Sequence, residues 1–293
     1  MKLRRDRRFV MDNFERASIL SEALPYIREF SKQTVIVKYD SKVMQSESLR
    51  QAAISNIALL SFVGVRVVVI HGGGPENDPF LKALGKEQAF VDGQRCIDEE
   101  TLDVTQMVSI GIIGKDIVTM ITDQGGKAIG FSGLDGGLFT AKKLSGDLDF
   151  GKVGELTSIN PELILVALDN GYIPVISAIA RCETGGGSFK ISADTAAAEL
   201  AVKLGAKKLI LLTDECGVTN EEGELISELT LSAVRPLIKK GAIRGKMIHR
   251  VNCCVKAVRR GVPRAHILDG SVPHSILIEV LTDSGIGTMI VQD

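Results

Sequence analysis

The stretch Val65-Arg66-Val67-Val68-Val69-Ile70-His71-Gly72-Gly73-Gly74-Pro75 decides how the rest of the chain is interpreted. Its first six residues are β-branched and apolar apart from one arginine, which is typical of a buried strand in a parallel sheet. The three glycines that follow carry no Cβ, so backbone N–H groups in this turn can approach an anion closely. A helix is predicted next, over residues 77–84, and its N-terminus adds positive partial charge. The stretch predicts a phosphate or carboxylate cradle at the end of a strand, with a tight turn that binds no ligand as the alternative.

On both sides of this stretch, strand-like apolar segments alternate with helix-like segments. Such alternation predicts a mainly parallel central sheet with helices on both faces, that is, a three-layer α/β/α sandwich. Ligands bind to sheets of this kind at the carboxyl ends of the strands. The predicted strands cover residues 34–38, 65–70, 128–131, 173–176, 208–212, 265–268 and 288–291, the predicted helices cover 13–30, 47–62, 77–84, 99–112, 115–124, 161–170 and 193–204, and hairpin-like segments cover 90–97 and 139–156.

A flexible loop, Glu183-Thr184-Gly185-Gly186-Gly187-Ser188, marks a predicted boundary between two lobes. The N-terminal lobe covers residues 31–185 and the C-terminal lobe covers 186–293. Residues 1–30 are predicted to form a basic tail and an amphipathic helix. Because this helix precedes the first strand rather than joining two strands, packing on its own sheet and docking on another subunit both remain open.

Composition narrows the class of protein. The chain has 293 residues, 45% of them hydrophobic, which is enough for a large core in one α/β domain or two lobes. A formal net charge of −1 gives no electrostatic argument for nucleic acid as a partner. No uncharged apolar stretch reaches about 18 residues and no signal peptide is recognised, so no membrane association is expected. The five cysteines are scattered without metal-ligand spacing, which favours buried thiols in a reducing compartment.

Three features besides the glycine turn fall where a ligand would bind. Lys38 ends the first strand and could reach a phosphoryl group. Thr213-Asp214, with Gly217 close behind, ends the most apolar strand. Gly241-Ala242-Ile243-Arg244-Gly245-Lys246-Met247-Ile248-His249-Arg250 is a basic loop that opens a helix, as suits a polyphosphate. Each has a structural alternative, a solvent-exposed lysine or an ordinary turn, and neither a Walker A motif nor the Rossmann glycine fingerprint is present.

Longer motifs join these features into one pattern that runs from about residue 17 to residue 291. The pattern resembles the amino-acid kinase family, and within it the branch that phosphorylates N-acetyl-L-glutamate, in its arginine-sensitive cyanobacterial and plastid form. The motifs that carry the resemblance are Ile19-Leu20-Ser21-Glu22-Ala23-Leu24-Pro25-Tyr26-Ile27, Val37-Lys38-Tyr39, His71-Gly72-Gly73-Gly74-Pro75-Glu76, Asp92-Gly93-Gln94-Arg95, Gly171-Tyr172-Ile173-Pro174-Val175-Ile176, Ala193-Asp194-Thr195-Ala196-Ala197, Leu211-Leu212-Thr213-Asp214, Val251-Asn252-Cys253-Cys254 and Gly285-Ile286-Gly287-Thr288-Met289-Ile290-Val291.

The resemblance implies transfer of the γ-phosphoryl group of ATP to the side-chain carboxylate of N-acetyl-L-glutamate, the second step of arginine synthesis. Such a transfer depends on charge neutralisation and in-line positioning more than on covalent help from the protein. The implied catalytic residues are Lys38, which neutralises the transferred group, Arg250, which stands where the family has a second lysine, and Asp194, which orients these two cations.

The resemblance also implies the binding residues. Gly73 and Gly74 would hold the amino-acid substrate and the transferred phosphoryl group, and Arg95 would clamp the α-carboxylate. Lys190 stands where the family has an asparagine that contacts the substrate, so it would change the charge of the pocket. ATP and Mg²⁺ would be held by the C-terminal lobe. The implied nucleotide residues are Asp214, Gly217, Gly245, Lys246 and Met247.

Regulation and assembly are implied as well. In the arginine-inhibited branch, the N-terminal helix interlaces dimers into a homohexamer, a trimer of dimers, and the PII signal protein is a partner of the cyanobacterial and plastid members. The tail His274 to Gly285 resembles the region that binds arginine, with Glu279 as the partner of its guanidinium group. The implied location is the cytoplasm, or the plastid stroma for a plastid-encoded protein.

Several site positions differ from the family motifs. Asp40-Ser41 stand where the family has a glycine pair, Lys190 and Ser192 replace the two asparagines of an Asn-x-Asn-Ala-Asp motif, and Gly114 replaces an asparagine. The family sequence Gly-Gly-Met-Ile-Pro-Lys is here Gly245-Lys246-Met247-Ile248-His249-Arg250. Like charges about 4 Å apart repel by roughly 4 kcal/mol at an effective dielectric near 20, so Asp40 alone would slow transfer by about three decades.

Three hypotheses remain open from the sequence. The first is an active kinase in which Lys190 and Lys246 balance Asp40. The second is a catalytically impaired paralogue that acts as a regulatory or assembly subunit through the retained helix and tail. The third is a related kinase whose carboxylate substrate differs, because Lys190 changes the charge of the pocket.

Overall fold

An eight-stranded sheet lies at the centre of the computed structural model, which describes residues 12–39, 46–73, 77–87, 89–91, 94–283 and 285–293. The strand order is β12-β14-β13-β11-β1-β2-β8-β5, and all neighbours run parallel except β13 and β14. The mainly parallel sheet that was predicted is confirmed. Its strands are β1 (Thr34–Tyr39), β2 (Arg66–His71), β5 (Ala128–Ser132), β8 (Ile173–Ser177), β11 (Lys208–Thr213), β12 (Glu228–Thr230), β13 (Arg264–Asp269) and β14 (Thr288–Val291).

Helices cover both faces of the sheet, as the predicted three-layer sandwich requires. Residues of β1 alternate between the two layers: Val35 and Val37 belong to the core under α2, α5 and α10, and Ile36 belongs to the core under α6, α7 and α9. All three are fully buried, which explains why residues 35–37 form a continuously apolar run. The helices are α1 (Asn13–Phe30), α2 (Glu47–Phe62), α3 (Asp78–Ala83), α4 (Glu99–Gln106), α5 (Gly114–Asp123), α6 (Glu162–Asp169), α7 (Ala193–Lys203), α8 (Leu231–Lys239), α9 (Lys246–Arg259) and α10 (Ser275–Leu281).

Two smaller sheets flank the main one. A hairpin pairs β3 (Phe90–Val91) with β4 (Gln94–Arg95), and a four-stranded sheet has the order β10-β9-β6-β7. Its strands are β6 (Phe139–Lys143), β7 (Gly154–Ile159), β9 (Ile179–Cys182) and β10 (Ser188–Lys190). The predicted lobe boundary falls in the loop between β9 and β10, whereas the main sheet runs unbroken because β1 pairs with both β2 and β11. The division of function between two lobes stays a prediction.

The two helices predicted over residues 99–124 form one continuous helix. A π-helical segment, Met107–Ile113, joins α4 to α5 without a break. By length and composition alone, the helix over Glu99–Asp123 is apolar enough to cross a membrane. Core helices pass the same test, and here Leu102, Val108 and Ile117 are buried against the rest of the fold.

Candidate active site

Lys38 and Asp194 form an ion pair at the carboxyl edge of the main sheet. Lys38 lies near the end of β1 and Asp194 lies in the first turn of α7, and 3.2 Å separates Nζ from Oδ1. Both side chains are largely buried. A buried ammonium group needs such a partner, and the partner also fixes where the positive charge points. The two residues that were predicted to neutralise and to orient are therefore in contact.

The glycine turn after β2 packs against the start of α7. A Cβ added to Gly72 would lie 3.7 Å from the Cβ of Ala193, and one added to Gly73 would lie 3.2 Å from the Cβ of Ser109. The second distance is tighter than most Cβ contacts, so a side chain at position 73 would have to displace Ser109, and glycine fits this close approach without such a shift. Gly74 and the Asp40-Ser41 pair lie outside the described residues.

Two positively charged residues, Arg95 and Lys190, lie on the predicted substrate side of the site. Arg95 makes a bidentate ion pair with Asp78, at 2.6 Å and 3.0 Å, and its guanidinium group lies 5.8 Å from the centre of the Phe90 ring. Lys190 ends β10 and is half-buried, and among the described residues its ammonium group has no hydrogen-bond or ion-pair partner. Burial, reinforced by the positive charge of Arg95, lowers the pKa of Lys190. An unpaired, partly desolvated cation beside a paired one is an arrangement that favours an anionic ligand.

Arg250 reaches the opposite side of the site. Its Nη2 lies 3.1 Å from Oδ1 of Asp214, and its Nη1 lies 2.6 Å from Oε1 of Glu215. The arginine is only 6% exposed, and both carboxylates follow directly after the end of β11. The sequence did not single out Glu215. Its position next to Asp214 was the available signal, but nothing in the sequence alone shows that an arginine 35 residues away would face it.

The other predicted nucleotide residues surround the start of α9. Gly245 precedes the helix with φ +57°, Lys246 is exposed, and Met247 is buried in the core. Contact between Met247 and a nucleotide would therefore come from its backbone. Gly217 has φ +133°, and a Cβ there would come within 2.6 Å of Oγ1 of Thr288, so the packing of β14 already requires this glycine.

Two of the substituted motif positions meet in space. Ser192 precedes α7, and its Oγ lies 2.9 Å from Nε2 of His249 on α9. The same hydroxyl accepts a hydrogen bond from the N–H of Thr195 at 3.3 Å, as a helix cap does. This contact could not be predicted from local sequence patterns, because the two residues are 57 positions apart.

A third substituted position, Gly114, faces a buried histidine. His71 is fully buried, its Nδ1 lies 3.2 Å from the carbonyl oxygen of Gly72, and burial lowers its pKa to about 4. Among the described residues its Nε2 has no hydrogen-bond partner. A Cβ at Gly114 would lie 3.2 Å from that nitrogen. The asparagine of the family motif would therefore start close to His71.

The predicted effector region borders a cavity of about 350 Å³ between α1, β13 and α10, lined among others by Tyr26, Lys208, Glu279 and Gly285. Glu279 is 9% exposed, and its Oε1 lies 3.3 Å from Nζ of Lys208 and 2.9 Å from Nδ1 of His266. His274 instead places its Nδ1 2.9 Å from Oδ1 of Asn56 on α2. Of the three predicted effector residues, Glu279 and Gly285 lie at the cavity, and His274 is not among the residues that line it.

The structure combines a mainly parallel sheet with a glycine turn and cations paired with carboxylates at the carboxyl edge, which suits an enzyme that transfers a phosphoryl group. Comparison with known protein families places the chain in such a class. The model of the amino acid kinase family matches residues 33–269, and the chain belongs to that family. Among solved structures, N-acetylglutamate synthase from Neisseria gonorrhoeae superposes with a TM-score of 0.84 at 26% identity, over 96% of this chain and 64% of the synthase. Carbamate kinase from Giardia shares the fold, with a TM-score of 0.65 at 19% identity over 89% of this chain and 99% of that kinase.

Within the family, the chain is similar to one particular kind of kinase along nearly its whole length. The acetylglutamate kinase of Clostridium kluyveri is 47% identical over 283 residues, which is 96% of this chain and 100% of that enzyme. The acetylglutamate kinase of the Prochlorococcus marinus strain NATL2A is 46% identical, over 94% of this chain and 91% of that enzyme. That of Thermosynechococcus vestitus is 45% identical, over 96% of both chains.

Proposed function

We propose that this protein is an ATP-dependent kinase that phosphorylates the side-chain carboxylate of N-acetyl-L-glutamate in arginine biosynthesis. The observation that carries the proposal is the Lys38–Asp194 pair beside the glycine turn, at the carboxyl edge of the sheet. Relatives at 45–47% identity that carry the name acetylglutamate kinase support the choice of substrate.

The geometry suits transfer to a carboxylate. Such an acceptor is already ionised at neutral pH, so the protein does not have to remove a proton from it. What remains is to hold the acceptor and the γ-phosphoryl group in line and to offset the charge of both. Lys38 supplies a fixed positive charge for the transferred group, and Arg95 and Lys190 supply positive charge where the substrate would bind.

Mg²⁺ would enter with the nucleotide rather than occupy a protein cage. It prefers oxygen ligands and is usually held by one or two carboxylates, substrate phosphates and water. Asp194 and Asp214 offer such oxygens, but each is already paired with a cation, and the part of the chain that the structure describes contains no cluster of three metal-ligating side chains. When bound, the ion would supply neutralising charge on the phosphates of ATP.

Steady-state release of ADP with MgATP and N-acetyl-L-glutamate tests the proposal. Lys38→Met is expected to reduce kcat by roughly 10²- to 10³-fold, the range found when one group that stabilises transition-state charge is removed. Lys86→Met is the matched control, because Lys86 is also paired with carboxylates but lies in the loop after α3, and neither it nor its partners Asp98 and Glu100 are predicted site residues. Absence of ADP formation by the unaltered protein at high concentration would contradict the proposal.

The second candidate function is a catalytically impaired paralogue that regulates or assembles with an active enzyme. It rests on the substituted motif positions, among them Arg250, and no contact favours it over the active kinase, because the buried Lys38 is paired with a carboxylate in the same way. Calorimetry separates the two candidates: an impaired subunit would fail to bind MgATP or N-acetyl-L-glutamate while remaining folded. A third candidate is a kinase with another carboxylate substrate. It is supported by the charge of Lys190, which has no ion-pair partner in the part of the chain that the structure describes, and a panel of N-acyl amino acids tests it.

Arginine is the proposed feedback inhibitor, and the cavity lined by Glu279 and Gly285 is its proposed site. A carboxylate suits a guanidinium group, although Lys208 and His266 already contact Glu279, so the ligand would have to share it. Titration with arginine, with lysine as the control ligand, tests the site. The titration is followed by calorimetry. If lysine binds with as large a saturable heat as arginine, the site does not select a guanidinium group and the proposal is contradicted.

Assembly and location are proposals that rest on the family resemblance. A homohexamer built through α1 is supported by the exposed apolar residues Phe14, Leu20 and Leu24 on that helix. Binding of the PII signal protein, and residence in the cytoplasm or the plastid stroma, are proposed on the resemblance alone. Sedimentation of the purified protein, with and without PII, tests both the hexamer and the partner.

A further inference from the structure

The contact between Ser192 and His249 joins two helices that carry different parts of the site. Nε2 of His249 lies 2.9 Å from Oγ of Ser192 and 3.5 Å from Oγ1 of Thr195. Oγ of Ser192 is at the same time the cap of α7. One imidazole nitrogen on α9 therefore contacts the first turn of α7, and the two helices pack against each other around this contact.

Each helix holds a predicted catalytic residue next to the contact. On α7, Asp194 lies two residues after Ser192 and pairs with Lys38. On α9, Arg250 follows His249 and points toward Asp214 and Glu215. The contact thus ties the helix that holds the Lys38 side of the site to the helix that holds the nucleotide side.

Both partners are substitutions relative to the family motifs, and either substitution without the other would not form this contact. A proline at position 249 has no side-chain donor or acceptor, so the serine would lose this partner. An asparagine at position 192 is longer than serine and would meet the imidazole ring, which here comes to hydrogen-bonding distance. The two changes are therefore complementary in both size and polarity.

We propose that Ser192 and His249 are positioning residues that act as one unit and hold Asp194 and the start of α9 in the geometry for phosphoryl transfer. The proposal rests on the proposed kinase function. It adds to that function a specific reason why a substituted site keeps its geometry.

Two chemical alternatives do not fit the contacts. Sγ of Cys253 lies 3.6 Å from Nε2 of His249, but burial raises the pKa of the Cys253 thiol to about 12, so a reactive thiolate is not formed. A serine–histidine base is not needed either, since the acceptor carboxylate has no proton to lose. The contact therefore serves geometry rather than proton transfer.

A double-mutant cycle tests whether the residues act as one unit. The full-length variants are Ser192→Ala, His249→Phe and the double variant, and kcat and KM for both substrates are measured for each. We expect each single change to reduce kcat on the order of 10- to 100-fold, which is the cost of misplacing catalytic groups by about 1 Å. We expect the double variant to be no slower than the slower single variant, because either single change already removes the contact. The cap of α7 is lost with Ser192 in both backgrounds, so its effect cancels from the coupling between the two residues.

Two further variants separate positioning from folding. His249→Gln retains a polar atom near the place of Nε2 and is expected to recover most of kcat, whereas Cys253→Ala removes the neighbouring thiol and is expected to leave kcat unchanged. A double variant whose loss equals the product of the two single losses would overturn the proposal. So would single variants whose kcat is unchanged while their unfolding temperature falls.

Failure of the proposed function would be recognised separately. If the unaltered protein releases no ADP, the kinase proposal fails, and the same four proteins are compared by their dissociation constants for MgATP. A non-additive cycle there still supports a coupled pair, and an additive one overturns it.

Discussion

Lys190 determines the net charge of the group that it forms with Arg95 and Asp78 on the substrate side. Asp78 binds the guanidinium group of Arg95 with both carboxylate oxygens, so the net positive charge of these three side chains equals that of Lys190. An asparagine at this place, as in the family motif, would leave the group neutral. Affinity for the α-carboxylate should then depend on whether Lys190 is charged.

We predict that KM for N-acetyl-L-glutamate rises with pH before other lysines titrate. Burial and Arg95 lower the pKa of Lys190, so its charge is present at low pH and is lost as pH rises through that depressed pKa. Lys190→Asn should have a higher KM at neutral pH and a flatter profile between about pH 7 and pH 10. Steady-state kinetics on both proteins provides the comparison, and parallel profiles would show that Lys190 does not bind the substrate.

His71 contributes to stability through the same physical effect. Its pKa in the folded protein is about 4, below the unfolded value of 6.5, so the unfolded chain takes up the proton first as pH falls. The stability due to a neutral His71 is therefore complete above about pH 6.5 and is lost progressively toward pH 4. The full loss is on the order of 3 kcal/mol.

Urea unfolding at pH 7 and near pH 5 measures this loss. We expect a larger drop in the free energy of unfolding for the unaltered protein than for His71→Asn. The comparison is needed because burial also lowers the pKa of His266, so this histidine too makes the folded protein less stable as the pH falls. Equal drops in the two proteins would assign the effect to His266 or to the carboxylates.

At the scale of elements, the loops after β11 and before α9 each contain a glycine with positive φ, but the space around the two glycines differs. Gly217 and Gly245 both have positive φ, but a Cβ at Gly217 would collide with Thr288 and Leu225, whereas one at Gly245 would meet nothing within 4 Å. Val218 also donates its N–H to Oγ1 of Thr288 at 2.8 Å, so the loop and β14 are locked together.

We predict that Gly217→Ala destabilises the protein more than Gly245→Ala. The first change combines backbone strain with a collision and should cost roughly 3 kcal/mol or more. The second carries strain alone, at φ +57° and ψ −135°, and should cost about 1–3 kcal/mol. Thermal or urea unfolding of both variants checks the order, and equal costs would mean that the Thr288 contact relaxes freely.

The helix over Glu99–Asp123 shows how an element can be misread at its middle. Gly111 and Gly114 favour a break, and two helices were predicted, but the backbone continues through the π-helical segment Met107–Ile113. Glycine lowers helix propensity by only about 1 kcal/mol, and burial of Val108, Ile113 and Ile117 outweighs that cost. The elements that were not predicted are α8, α10, β9, β10 and β12. All except α8 are short, and short segments carry too little periodicity.

At the scale of the whole molecule, α1 is the element with the most unpaired apolar surface among those discussed. Phe14 is 83% exposed and Leu20 is 72% exposed. Such a surface on a helix that lies outside the sheet favours contact with another copy of the chain.

We predict that Leu20→Glu reduces the oligomer size without abolishing turnover. A charge placed in an apolar contact must be desolvated, which weakens the interface. Leu148→Glu is the control, because Leu148 is also exposed but lies in the loop between β6 and β7. Light scattering measures the mass of each protein, and an unchanged mass for Leu20→Glu would exclude α1 as the assembly element.

The local sequence by itself predicted the strands of the main sheet except β12, most helices, the glycine turn and the positions of Lys38, Asp194 and Arg250 along the chain. Period-2 and period-3.6 patterns and the chemistry of glycine act between near neighbours, so they can be predicted from a single chain. The tertiary structure alone decided which of these residues meet: His249 with Ser192, Arg250 with Glu215, and Gly114 with His71. His249 and Ser192 are 57 positions apart in the chain, and Arg250 and Glu215 are 35 positions apart. Only the strand order and the packing of helices on the sheet bring such distant residues together.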